Sequence, residues 1–162
     1  MNAIQLLRNM HADTKLRFKI ILGTDDPRVA DQRWRTLQPV LKLHEEIEDT
    51  FVYLPLRQEM DPGTPLGDWA VQHDADVEYV DQLIQASRDL APATPDWRMC
   101  VARVMDALSK HVMDEEGQIF GRIEQVWDAD RLEQAGAQMQ KRVAKAALST
   151  STPKPEPARR RR

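Results

Sequence analysis

Two residue pairs in this 162-residue sequence have the types and spacing to hold a metal ion: His44 with Glu48, and His111 with Glu115. Four residues apart on a helix, both side chains of a pair leave one face, about 6 Å apart along the axis. The other two of the 4 histidines, His11 and His73, stand alone. Each histidine interrupts an apolar stripe. The first stripe is Ile4, Leu7, His11, Thr14, Phe18 and Ile21, and the second is Leu37, Leu41, His44, Glu48 and Phe51. The third is Leu66, Trp69, His73, Val77, Val80 and Ile84; the fourth is Trp97, Val101, Val104, Leu108, His111, Glu115 and Ile119. Alternating spacings of three and four put each set on one inward helix face. Burying an unpaired imidazole or carboxylate there is costly, and two neighbouring carboxylates raise one another's pKa unless positive charge lies between them. A divalent or trivalent cation supplies that charge, and imidazole with carboxylate suits iron, manganese or zinc. Two such helices face to face offer two bridging carboxylates and terminal imidazoles, a dinuclear site. The Glu-x-x-His pattern of ferritin-like di-iron proteins is absent, because no histidine has a glutamate three residues before it.

Prolines and glycines mark the elements that must position these residues. A first helix is expected from near Asn2 to Gly23. A second runs from about Pro27 to Leu54, kinked or split at Gln38-Pro39. A third runs from near Leu66 to the APATP segment, and a fourth from Thr94-Pro95 to about Trp127. Asp128 then caps a fifth, from about Ala129 to Leu148. The expected fold is all-α: an up-down antiparallel four-helix bundle over 1–127 and an extra C-terminal helix over 128–148. The last segment, STSTPKPEPARRRR over 149–162, is small, polar and proline-rich before its four arginines, which reads as a disordered basic tail.

Composition narrows the function classes. Hydrophobic residues make up 41% and charged ones 30%, enough for one core and too balanced for a wholly disordered chain. With 6 glycines, an all-β fold rich in tight turns is disfavoured. No apolar run reaches the roughly 18–20 residues of a membrane span. No basic stretch followed by an apolar one opens the chain, so a cytoplasmic location is expected. Cys100 is the single cysteine, which excludes an intramolecular disulfide and a multi-cysteine zinc or iron–sulfur site. The tail carries +4 of a net charge of -3, leaving -7 on the body, unlike the basic face of a nucleic-acid-binding fold. Only weak contact of Arg159–Arg162 with nucleic acid or anionic lipid is in prospect.

The stretches LKLHEEIEDTFVYLPL (Leu41–Leu56) and LSKHVMDEEGQIFGRI (Leu108–Ile123), with the histidines of NMHAD and VQHDADVEYV, resemble the hemerythrin-like HHE cation-binding domain family. The resemblance covers about residues 1–127. It implies a hemerythrin-like bundle with two non-haem irons, His11, His44, His73 and His111 as terminal ligands, and Glu48 and Glu115 as bridges. Ligand types alone also admit manganese or zinc. Six protein ligands leave positions on two octahedral irons for dioxygen, peroxide, nitric oxide or a bridging oxo or hydroxo group. The expected function is handling or sensing such a small ligand, with peroxide decomposition among the redox activities, rather than conversion of a bulky organic substrate. The alternative is an iron-responsive structural or partner-binding module without turnover. Oxygen-carrying relatives have a second histidine four residues after the first in the third helix, where this chain has Val77. Their last carboxylate is an aspartate five residues after its histidine, where this chain has Glu115 at four. Both departures argue against reversible oxygen transport. Some four-histidine relatives recruit the residue after the second-helix histidine, here Glu45, and Asp76 could approach from the third helix. Glu45, Glu46, Asp49, Asp114 and Glu116 otherwise read as solvated faces. Trp69 and Trp97 read as core anchors, Met10, Met105 and Met113 as packing, and Cys100 as a small buried residue.

Overall fold

The computed structural model describes residues 1–151 of the chain. Within them the chain forms five helical rods, and no helix is long and apolar enough to cross a membrane. The first, α1, spans Ala3–Leu22 and begins in a capping box: the Asn2 side chain accepts from Gln5 N–H at 2.9 Å while Gln5 reaches back to the Asn2 N–H. The rods α2 (27–59), α3 (Pro65–Ser87) and α4 (95–126) open on one device, a capping Asp26, Thr64 or Thr94 followed by proline. The cap oxygen takes an orphan N–H of the first turn, and proline there has no N–H to leave unpaired. The last rod, α5, spans Ala129–Ser151 behind Asp128, whose carboxylate accepts from Arg131 N–H. It takes in residues 149–151 of the expected tail; the rest of that tail, 152–162, lies outside the described residues.

Two features of α2 depart from expectation. Of the kink or split expected at Pro39, the split does not occur, for Pro27–Glu48 is one unbroken α-helical stretch. Pro39 and Arg35, whose carbonyl loses its partner, both lie on the exposed face, where water substitutes at least cost. The rod also continues beyond Leu54 to Glu59, through a π-helical turn at Asp49–Tyr53. A second π turn, Glu115–Ile119, sits at the matching place in α4. Each turn closes with a five-residue hydrogen bond, Leu54 N–H to Asp49 O and Phe120 N–H to Glu115 O. The added residue moves the inward face one position along, so the residues sealed below the two glutamates are Tyr53 and Phe120. Phe51, expected on the seam, is half-buried.

Short connections lay the rods against each other: α1 packs on α2, α4 and α5, and α3 on α4 and the end of α2. Their apolar faces form two clusters. One contains Ile4, Leu7, Val52, Tyr53, Leu56, Ala70, Phe120 and Ile123, with Leu132 and Met139 of α5. The other contains Phe18, Ile21, Trp34, Leu37, Leu41, Val80, Ile84, Trp97, Val101 and Val104. The chain passes from the first cluster to the second along α1, returns along α2, and repeats the traverse along α3 and α4. Trp97 is buried as expected, whereas Met113 is exposed and Cys100 half-buried, its Sγ donating to Leu83 O at 3.4 Å. Ala93 holds a left-handed backbone (φ 62°), which costs a residue with a Cβ about 1–2 kcal/mol. Arg98 braces that loop, donating to the carbonyls of Ala93, Leu22 and Thr24.

The fifth rod docks where α1 begins. A Cβ at Gly136 would stand 2.5 Å from Met1 O and 2.7 Å from Ala3 N, closer than backbone atoms allow. Further along, Arg142 grips both oxygens of Glu46 at 2.7 Å. Gly136→Ala is therefore expected to push α5 off α1 and to cost about 1–3 kcal/mol in denaturant unfolding, the usual range for overpacking. An unchanged midpoint would show that α5 does not dock there.

Candidate metal centre

Between the two clusters lies a polar layer, and all six sequence-derived candidates are in it. His11 comes from α1, His44 and Glu48 from α2, His73 from α3, and His111 and Glu115 from α4. His11, Glu48, His73 and Glu115 are buried; the rings of His44 and His111 are nearly so. Ligand atoms of His11, His44 and Glu48 lie within 4.8 Å of one another, as do those of Glu48, His73, His111 and Glu115. Glu48 belongs to both groups: its Oε2 is 3.5 Å from His44 Nε2, 3.6 Å from His73 Nε2 and 4.0 Å from His111 Nε2. Glu115 divides its oxygens, Oε1 lying 3.0 Å from His111 Nε2 and Oε2 3.4 Å from His11 Nε2. The two imidazoles His11 and His44 approach Nε2 to Nε2 at 3.2 Å.

Outer partners hold this layer in place. Glu116, expected on a solvated face, is only a third exposed and pairs with His11 Nδ1 at 2.8 Å. A proton on Nδ1 leaves His11 Nε2 free as a donor toward the centre. Tyr53 donates to Glu115 Oε1 at 2.5 Å, and the half-buried Trp69 donates its indole N–H to the Tyr53 hydroxyl at 3.0 Å. Trp69 also stacks on His111, centroids 5.8 Å apart, so it serves as more than a core anchor. Asp76 Oδ2 comes to 3.6 Å from His111 Nδ1, and Glu45 stands outside both ligand groups. Asp49 approaches His73 from the outer side together with Asp74, and both acids are tied to Arg57. None of Glu116, Tyr53 or Trp69 was assigned to the site from sequence. A glutamate one residue beyond Glu115 gave no periodic signal, and Tyr53 became inward-facing only through the π turn.

Side chains alone compensate this layer poorly. His44 Nδ1, Glu48 Oε1, both ring nitrogens of His73, His111 Nδ1 and Glu115 Oε2 are buried and lack a hydrogen-bond partner among the described residues. Native proteins leave such atoms unpaired only rarely. A bound cation would take up Nε2 and carboxylate lone pairs, so the donor set fits one. Burial drives the His44 imidazole down to about 4 despite the pull of Glu48. Burial would also lower His111, but Glu115 and Glu48 outweigh it and push that ring up to about 11. Burial opposes ionisation of Glu48, yet His44, His111 and His73 hold its carboxyl well below the usual range. Burial and then the charge of Glu48 raise Glu115, and burial with both carboxylates keeps the Tyr53 phenol protonated far above its ordinary value. Burial, Asp81 and Glu48 lift Glu45 to about 7.

On the side of the second cluster a cavity of about 400 Å³ opens against the histidines. Its lining takes in His11, His44, Glu48, His73 and His111.

A family model described as the hemerythrin HHE cation binding domain matches residues 2–123. Comparisons with curated proteins and with solved structures return no match. The family match covers α1 to α3 and most of α4, and stops short of α5.

Two outcomes follow for protein stripped of metal. His44, depressed when folded, withdraws stability as pH falls below the unfolded value of about 6.5; His111, raised when folded, withdraws it as pH climbs from about 6.5 toward 11. Glu45 and Glu115, raised when folded, also withdraw stability as pH climbs from about 4.5, so thermal melts should decline from pH 6.5 to 9, and a flat profile over that window would contradict this electrostatic picture. Tyr53→Phe removes the donor to Glu115 and the acceptor of Trp69, and should lower stability by about 1–3 kcal/mol in the same stripped protein.

Proposed function

The chain belongs to the hemerythrin HHE cation-binding domain family, and on that footing we propose that it holds two non-haem irons and uses them to sense or process dioxygen, peroxide or nitric oxide. In this reading His11 and His44 serve one iron, His73 and His111 the other, and Glu48 and Glu115 serve both. One observation carries it: each carboxylate reaches at least one imidazole of each pair, Glu48 with His44 and with both His73 and His111, Glu115 with His11 and His111. The helices then run as an up-down antiparallel bundle around the pair, with α5 an addition outside the family core.

Bound there, iron supplies one-electron redox chemistry and open coordination positions for the small ligand. The chain's own groups set the conditions. Glu116 fixes the His11 tautomer, and Asp76 stands where it would do the same for His111 through Nδ1. Tyr53 keeps its proton and gives a hydrogen bond to Glu115, restraining that carboxylate while leaving Oε2 toward His11. The first apolar cluster closes one end of the layer, and the cavity gives access from the side of the second. With Val77 where oxygen carriers place a further histidine, sensing or redox processing is favoured over oxygen carriage.

A second reading, an iron-responsive module that signals without turnover, has the Glu46–Arg142 fork in its favour. Glu46 lies on the turn between His44 and Glu48, so a shift of that turn would reach α5 directly. Limited proteolysis separates the two: a signalling module changes the cleavage rate of α5 with iron, whereas a redox protein consumes peroxide with α5 unchanged.

Protein from iron-replete cells should contain two irons per chain, and His73→Ala should abolish the full stoichiometry. A protein that takes up no iron on reconstitution overturns the proposal. Glu48→Gln should weaken iron retention tenfold or more, and Glu45→Gln much less, because only the former would serve two ions; the reverse order would reassign the α2 bridge. Protons compete with cations for the ligating side chains, so retention should weaken as pH falls. Since His111 holds its proton up to about 11 in the stripped site, uptake at pH 7 should also release protons, measurable by calorimetry in two buffers.

A further inference from the structure

We propose that the cavity beside the histidines binds an organic acid with a hydrocarbon body, its carboxylate toward the cations and its chain along the apolar walls. The head-group part rests on the iron reading above; the wall part rests on the cavity alone.

At about 400 Å³ the space falls within the range of roughly 300–1,000 Å³ typical of small organic ligands and far exceeds what a diatomic molecule needs. Its walls are Phe18, Leu41, Val77, Val80, Met105 and Leu108, drawn from all four family helices. Phe18, Leu41 and Val80 are buried and Val77, Met105 and Leu108 half-buried, so the walls grade from sealed interior to open mouth. Apart from Thr14, Tyr79, Ser109, Glu45 and Asp76, the polar lining lies in two places. The floor is the imidazole and carboxylate layer, where the two carboxylates Glu48 and Glu115 cannot balance two cations each at least doubly charged, and a third carboxylate brings the centre nearer neutrality. The mouth carries Arg8, Lys15 and Lys110. Arg8 and Lys110 pair with Glu116 and Asp114, while Lys15 has no ion-pair partner among the described residues and can draw an anion in. Glu45 and Asp76 also line the space but stand outside the two iron groups. A hydrocarbon chain beneath a single anionic head matches this division of surface, and a polar-bodied molecule does not.

The test is calorimetric titration of the iron-loaded full chain with straight-chain carboxylates from butyrate to decanoate, repeated on chelator-stripped protein with metal content measured in parallel. Affinity should rise roughly fourfold per added methylene until the chain fills the cavity. Leu108→Trp, which fills the space from its half-exposed wall, should weaken decanoate at least tenfold while leaving acetate binding and iron content unchanged. An iron-loaded protein whose affinities are flat across the series overturns the inference and leaves the iron reading standing. Decanol binding as tightly as decanoate overturns the head-group assignment. A steep series in a protein that never takes up iron keeps the wall assignment and overturns the head group together with the iron reading.

Discussion

The constraint on which the rest of this structure depends is the enclosure of four imidazoles and two carboxylates between two apolar clusters. Such groups are stable in an interior only when charge and lone pairs are answered at short range. Here the answer is partial: the carboxylates lean on the rings, the rings on outer acids, and a set of buried nitrogens and oxygens is left facing one another. An interior with that much unanswered polarity is ordinarily rejected in favour of apolar packing. Its presence at one level of four separate helices identifies a layer arranged for an added positive charge.

The supporting architecture is economical. Cap-then-proline starts fix where three rods begin, short loops return the chain, and the apolar stripes on either side of each histidine set the level at which it meets its neighbours. The outer partners then fix angles rather than positions. Glu116 selects a tautomer of His11, and the Trp69–Tyr53 pair holds one oxygen of Glu115. These contacts bring the two edges of the layer under control of side chains that touch solvent, Glu116 at one edge and Trp69 at the other.

Much of this was legible in the sequence because helix periodicity and ligand spacing are local properties. The stripes place His11, His44, His73 and His111 inward, and the four-residue step places Glu48 and Glu115 with them. What escaped is what depends on neighbours or on broken periodicity. Pro39 reads as a breaker in isolation and is harmless on an exposed face. Phe51 was expected where Tyr53 is found because a π turn has no pattern in residue types. Glu116 looks like any surface acid until α1 is set beside α4, and Met113 reads as packing until the exposed face of α4 is known. The cavity is invisible to sequence altogether, since its walls are ordinary stripe residues whose failure to touch is a matter of packing.

The two π turns carry a consequence for how this chain can change. Each is one residue longer than the straight winding it replaces, directly below a glutamate. Rewinding either as regular α-helix at unchanged chain length would swing everything after it by about 100°. Tyr53 and Leu56, or Phe120 and Ile123, would then leave the interior as a block. Winding at these two places is thus held more tightly than chemistry: many exchanges of side chain leave it intact, whereas a π turn that reverts to α without losing a residue unseats the last turns of a rod at once.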